Sequence, residues 1–176
     1  MLTYIRCMDA VSRWAGVLAS WALFAACLIS AGNATIRYSF NLGSNAWLEV
    51  QWYLFGAAVF LGAPMLLKLN EHVRVDVVFG GLSERAKAWV DVVGIALVLL
   101  PLCVFVATQA WPFVAESWAQ HEVSPSAGGL VRWPIKAAIP LGFVLLGLQG
   151  LAELMRRVRF LQGQGESTAH YERPLQ

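Results

Sequence analysis

Charge is distributed in blocks along this 176-residue chain. Four stretches contain no Asp, Glu, Lys or Arg: Trp14–Ile36, Val50–Leu67, Val92–Ala115 and Ala137–Ala152. Charges close each of them, Arg13 and Arg37, Glu49 and Lys68, Asp91 and Glu116, Lys136 and Glu153. A helix rises about 1.5 Å per residue and the hydrocarbon of a bilayer is roughly 30 Å thick, so about 20 apolar residues cross it. The first and third stretches suffice by themselves. The second and fourth are slightly short, and Lys68 and Lys136 extend them by carrying their ammonium groups to the interface. With these flanks the spans fall at about 14–36, 50–67, 89–115 and 134–155. The pattern predicts an all-α membrane protein: four transmembrane helices in one domain, residues 1–161, followed by a polar, disordered tail, 162–176.

Local signals refine these elements. Ala15, Ala19, Ala22, Ala26 and Ser30 share one face of the first span, and Ala58-xxx-Gly62 and Ala138-xxx-Gly142 repeat the small-residue spacing in the second and fourth. Such faces let helices approach closely in lipid, where no hydrophobic effect drives them together. They serve either internal packing or a partner chain. Ser83 is an N-cap candidate for a helix beginning Glu84-Arg85 and running through the third span. Continued to Trp118 it has about 36 residues and a length of ~54 Å, longer than the bilayer is thick, with Pro101 as the expected bend. Gly80-Gly81 is a turn signal, and Ser124-Pro125-Ser126-Ala127-Gly128-Gly129 reads as a loop.

Composition excludes a soluble bundle. Hydrophobic residues make up 58% and charged residues 14%, against about 45–50% and 25% in soluble chains; uncharged runs of this length would leave no polar face for water. Trp14, Trp47, Trp52, Trp89, Trp111, Trp118 and Trp133 sit near span ends, where an indole suits the headgroup layer. The distribution of basic residues sets an orientation. Arg6, Arg13, Lys68, Arg74, Arg85, Lys87, Arg156, Arg157, Arg159 and Arg173 fall on one side of the spans; Arg37, Arg132 and Lys136 fall on the other. The positive-inside rule then places both termini and the central loop of this multi-pass protein in the cytoplasm. These residues are too dispersed for a nucleic-acid surface. The first segment is read as a retained span, because its apolar run exceeds the h-region of a signal peptide. Cys7, Cys27 and Cys103 form no metal-binding or redox spacing.

Candidate chemistry is sparse. The polar residues inside the spans are neutral, Asn33, Gln51, Thr108, Gln109 and Gln149, and interhelical hydrogen bonding is their expected role. Glu49, between Trp47 and Trp52 at the outer edge of the second span, is either a solvated helix-end carboxylate or one that pairs with Arg37, Lys136 or a partner chain. His72, His121 and His170 all lie outside the spans, so no two imidazoles can grip a haem within the membrane. No hydrolase triad, P-loop or dinucleotide-binding glycine motif occurs. The densest polar cluster is Asn70-Glu71-His72-Val73-Arg74-Val75-Asp76-Val77-Val78, where charges alternate with valines. That alternation predicts an interfacial segment between helices 2 and 3, with His72, Arg74 and Asp76 wet, paired or held by a partner.

These residues also carry a resemblance. Glu49, Phe60-Leu61-Gly62-Ala63, Glu71-His72-Val73-Arg74-Val75-Asp76-Val77, Trp89-Val90-Asp91, Trp111-Pro112, Ser117-Trp118 and Trp133-Pro134-Ile135-Lys136 resemble the small permease subunit, DctQ type, of tripartite ATP-independent periplasmic (TRAP) transporters. The likeness runs from about Arg6 to Arg159 and ends before the tail. It implies a non-enzymatic support subunit for a large multi-span permease. That partner would carry an organic-acid-like solute, delivered by a periplasmic solute-binding protein, together with coupling sodium ions. No cofactor is expected in this chain, and Glu49, His72, Arg74 and Asp76 are its candidate partner contacts. Two other classes compete: an autonomous homo-oligomeric transporter, and a membrane anchor for an electron-transfer complex. The first wants an ionisable residue inside the membrane and the second wants histidines there.

Overall fold

The computed structural model describes residues 1–69, 81–126 and 128–164. Four helices account for most of them: α1, Leu2–Phe40; α2, Asn45–Leu69; α3, Glu84–Ala119; and α4, Trp133–Leu161. Each is long and apolar enough to cross a membrane, and each outruns its uncharged stretch at both ends. Polar residues at helix ends keep intrahelical bonds while their side chains reach water or one another, so the absence of charge marks the buried depth, not the helix limit. The 70–80 segment, with His72, Arg74 and Asp76, lies outside the described residues, as does the 165–176 part of the tail.

The ends of the helices follow local chemistry. α1 stops where Asn41 turns left-handed at φ 57°, a conformation asparagine tolerates better than most residues. Ser83 caps α3 as expected, its hydroxyl accepting from the Ala86 N–H at 3.3 Å. The irregularity in α3 comes one turn earlier than Pro101. Ile95–Leu99 forms a single π-turn, and the Leu100 N–H reaches back to the Ile95 carbonyl. Proline offers no N–H and its ring crowds the carbonyl four residues before it, here Leu97; widening the preceding turn relieves that clash.

The helices form an open row in the order α1, α2, α4, α3. α1 pairs lengthwise with α2, α2 with α4, and α4 with α3, while α3 has no interface of comparable extent with α1 or α2. Small residues set the spacing. Ala15, Ala19 and Ala26 are buried, and Ala19 Cβ lies 3.5 Å from where a Cβ on Gly62 would sit. Gly142 packs on Phe60 so closely that a Cβ there would come within 2.6 Å of Phe60 Cβ. Gly147 meets Cys103, and Gly150 meets Leu99 and Leu100. The small-residue faces at these positions therefore serve internal packing. Large apolar side chains such as Trp21, Phe55, Leu97 and Val104 point outward, the arrangement a hydrocarbon solvent favours because lipid is as apolar as they are.

α1 does more than follow α2. Tyr4 donates to the Leu148 carbonyl at 2.9 Å, and Ser12 donates to Gln149 Oε1 at 2.8 Å. Tyr4 and Ser12 are about 12 Å apart along α1, whereas Leu148 and Gln149 are adjacent on α4. α1 therefore also touches α4 directly here, around a small cluster of Ile5, Met8 and Ala152.

Candidate functional site: polar clasps at the two ends of the row

Two polar networks hold the row, one at each end of its helices. The first surrounds Glu49. Its helix brings the carboxylate under the 120–132 loop, where it is buried. One oxygen accepts from Ser124 Oγ; the other accepts from the Leu130 N–H at 2.8 Å. Arg132 donates to the same Ser124 Oγ at 3.3 Å. The loop is shaped for this: Val123 and Val131 pair as an isolated antiparallel bridge, Ser124 N–H bonds the Leu130 carbonyl, and Gly128 takes φ 74° to turn the chain. Gly129 N–H donates to the Ser126 carbonyl at 2.8 Å. Tyr53, one turn along from Glu49, donates to the Val131 carbonyl at 3.2 Å.

Glu49 is thus neither solvated nor paired with Arg37 or Lys136. Lys136 instead pairs with Glu122 and lies 3.8 Å over the Phe113 ring. Trp118 and Trp133 meet edge to face beside it, centroids 4.6 Å apart. The Lys136 ammonium holds the Glu122 carboxyl below its usual range by hydrogen bonding to its charged form.

The second network joins α1, α3 and α4; Gln149 has in it the interhelical role its sequence position predicts, but its partners were not singled out from the sequence. Gln149 is fully buried at its centre. Its carbonyl accepts from Ser12, and its amide donates to Asp9 Oδ1 at 3.2 Å and Glu153 Oε1 at 3.3 Å. Arg156 closes the ring with two bonds to Asp9, at 2.8 and 3.0 Å, and one to Glu153. Lys68 adds a bond to the Asp9 carbonyl at 3.4 Å, tying in α2. Arg157 turns the other way and pairs with Asp91 of α3 at 3.1 Å. Helical spacing was the available signal: Asp9 and Ser12 are three apart, Gln149 and Glu153 four apart, Glu153 and Arg156 three apart, so each pair shares a face. What spacing could not supply is the partner, since Asp9 and Arg156 are 147 positions apart.

Both networks are fastenings. Each carboxylate named here is met by a guanidinium, an ammonium, a hydroxyl, an amide or a backbone N–H of this same chain. Among the described residues no group of three or more His, Cys, Asp or Glu side chains is placed to hold a metal ion. A groove of about 490 Å³ opens between α1 and α2, lined by Gly16, Leu23, Phe55, Gly62 and Met65, with Arg13 at one end. Its walls are apolar and offer a charged solute little besides that guanidinium.

Comparison with known proteins agrees with this architecture. The family model described as "Tripartite ATP-independent periplasmic transporters, DctQ component" matches residues 26–160. The chain belongs to this family. It is therefore a small membrane component of a TRAP-type transporter, a family of transporter parts and not of enzymes. A Haemophilus influenzae protein named "Putative TRAP transporter small permease protein" is 30% identical over 79 residues, a match covering 45% of this chain and 48% of that protein. The chain thus spans about half the length of that relative. No solved structure matches. Both clasps of this DctQ component lie largely within the family match, except that Asp9 and Ser12 precede it.

Proposed function

We propose that this chain supports a large multi-span permease in the bacterial inner membrane and does not itself carry solute. The large subunit would perform sodium-coupled uptake of an organic-acid-like solute handed over by a periplasmic solute-binding protein. The observation that carries this reading is the internal use of charge. Asp9, Glu153 and Arg156 satisfy one another, Asp91 pairs with Arg157, and Glu122 with Lys136. A carrier that couples ion flow to solute movement needs ionisable groups facing a path through the membrane, whereas these named groups are engaged with one another within the chain. The row is also open, with long apolar faces that suit packing against a larger membrane protein.

In this reading both termini and the segment between α2 and α3 are cytoplasmic, because that side holds the larger share of basic residues. Glu49 shapes the periplasmic loop toward the partner, and His72, Arg74 and Asp76 fasten the cytoplasmic side to it. No cofactor is assigned to the chain; the coupling ions would bind the large subunit. Purified protein in liposomes with a sodium gradient should take up no organic acid alone, and should support uptake once the large permease and the binding protein are added. Uptake by this chain alone would refute the proposal.

A further inference from the structure

Two glutamines sit inside the spans of the described helices α3 and α4, and the fold treats them oppositely. Gln149 is fully buried with its hydrogen bonds made. Gln109 of α3 is exposed and has no hydrogen-bond partner among the described residues. Its neighbour Thr108 needs none from elsewhere, because its hydroxyl donates to the Val104 and Phe105 carbonyls of its own helix at 2.8 and 2.9 Å. The amide of Gln109 has no such local outlet. A free amide in hydrocarbon costs several kcal/mol by transfer measurements.

Two escapes can be checked against the geometry. One is the chain itself, but Gln109 is on the wrong side of α3. Cys103 packs on Gly147 of α4 and Ser117 is buried, and at 100° per residue Gln109 is turned about 120° from the first and about 80° from the second. It shares its outward face with Val98, Leu102, Phe105, Pro112 and Glu116, all exposed. The other escape is water at the membrane surface. The uncharged run ends at Ala115, ~9 Å further along the helix. Side chains on a helix lean toward its N-terminus, which for Gln109 means toward Val92 and deeper into the membrane. Snorkelling works against that lean.

The same face carries a second unmet requirement. Pro112 is exposed within the helix and supplies no N–H for the Thr108 carbonyl four residues before it. Carbonyls freed by proline inside a bilayer are ordinarily met by a neighbouring helix.

We propose that the face of α3 containing Val98, Leu102, Phe105, Gln109 and Pro112 docks a transmembrane helix of the large permease, which presents a hydrogen-bonding side chain to the Gln109 amide. This rests on the supporting role proposed above and assigns it a surface. The outermost helix of the row then becomes the one between the rest of this subunit and its partner.

The test uses the full chain co-expressed with its large permease. A photoreactive side chain placed at Phe105 should cross-link to the large permease, whereas one placed at Trp21, on the outer face of α1, should not. Gln109→Leu should weaken the complex about 3- to 20-fold, the range that one interhelical hydrogen bond commands. The isolated Gln109→Leu chain in detergent should melt no lower than wild type. Three results would overturn the inference: a cross-link from Phe105 to a second copy of this chain, a complex unaffected by Gln109→Leu and uncross-linked from Phe105, or a lowered melting point of the isolated variant, which would make Gln109 an internal strut. Failure of the wild-type chain to retain any large permease would refute the supporting role itself, and this surface with it.

Discussion

The close approach of α4 to α2 at Gly142 makes a sharp prediction. At Gly142 an added Cβ would lie 2.6 Å from Phe60 Cβ, 2.9 Å from the Phe60 carbonyl oxygen and 3.1 Å from its Cα. Carbon atoms rest at about 3.5–4.0 Å, so Gly142→Ala must part α2 from α4 by roughly 1 Å. No rotamer change relieves it, because the opposing atoms are backbone and Cβ. Phe60→Ala should not rescue the variant, since it leaves all three atoms in place. A radial gap of that size forfeits a quarter to a half of the local dispersion energy. Neighbouring contacts would share the strain, among them Gly56 against Ile135 Cδ1 and the tilted Phe60–Phe143 ring pair at 6.2 Å. Overpacking of this kind costs about 1–3 kcal/mol, while alanine returns up to ~1 kcal/mol of helix propensity over glycine. The net expectation is a loss of about 1–2 kcal/mol, read as a melting point in detergent lowered by a few degrees. Gly32→Ala is the matched control: nothing lies within 4 Å of its added Cβ, so only the propensity gain remains and the melting point should hold or rise. Equal stabilisation by both substitutions would refute the claim that Gly142 sets the α2–α4 spacing.

Other predictions concern the clasps and the orientation. Gln149→Leu should destabilise the chain by about 2–3 kcal/mol, because it leaves the buried Ser12 hydroxyl without its acceptor and two carboxylates without an amide donor; Gln149→Glu should be worse, since it sets a third carboxylate beside Asp9 and Glu153. Thermal melts of the two variants in detergent measure both. Glu122 has a lowered pKa in the folded chain owing to Lys136, so its pairing contributes fully above the ordinary carboxylate range and is lost as pH falls through the lower folded value; wild type should lose stability on such acidification more steeply than Glu122→Gln. In a version lacking Cys7, Cys27 and Cys103, cysteines at Ser44 and Ser126 should react with an impermeant thiol reagent in intact cells and one at Gln164 should not. Labelling at Gln164 would reverse the orientation.

The number of helices able to span a membrane was legible in the sequence because a bilayer imposes one coordinate, thickness, and a run of uncharged residues measures it. The Ser83 cap was legible because a cap bonds within its own turn. The family resemblance was legible in the same way, from residues in a line. The order of helices in the membrane plane was not, since the small-residue spacing in several spans permits many pairings. It follows from which faces meet, Gly142 on Phe60 and Gly147 on Cys103. Nor did residue type reveal environment. Gln109 and Gln149 lie in similarly apolar stretches, yet one is sealed in a network and the other faces outward, and only the positions of the neighbouring helices separate them. Glu49 stood at the expected edge of its span, but whether a carboxylate there meets water, a cation or a loop depends on where residues 124 and 130 return, some 75 to 81 positions later. The clasp of Asp9 with Arg156 depends likewise on α1 touching α4. Membrane depth is written along the chain, whereas partners at that depth arise only when distant segments fold into contact.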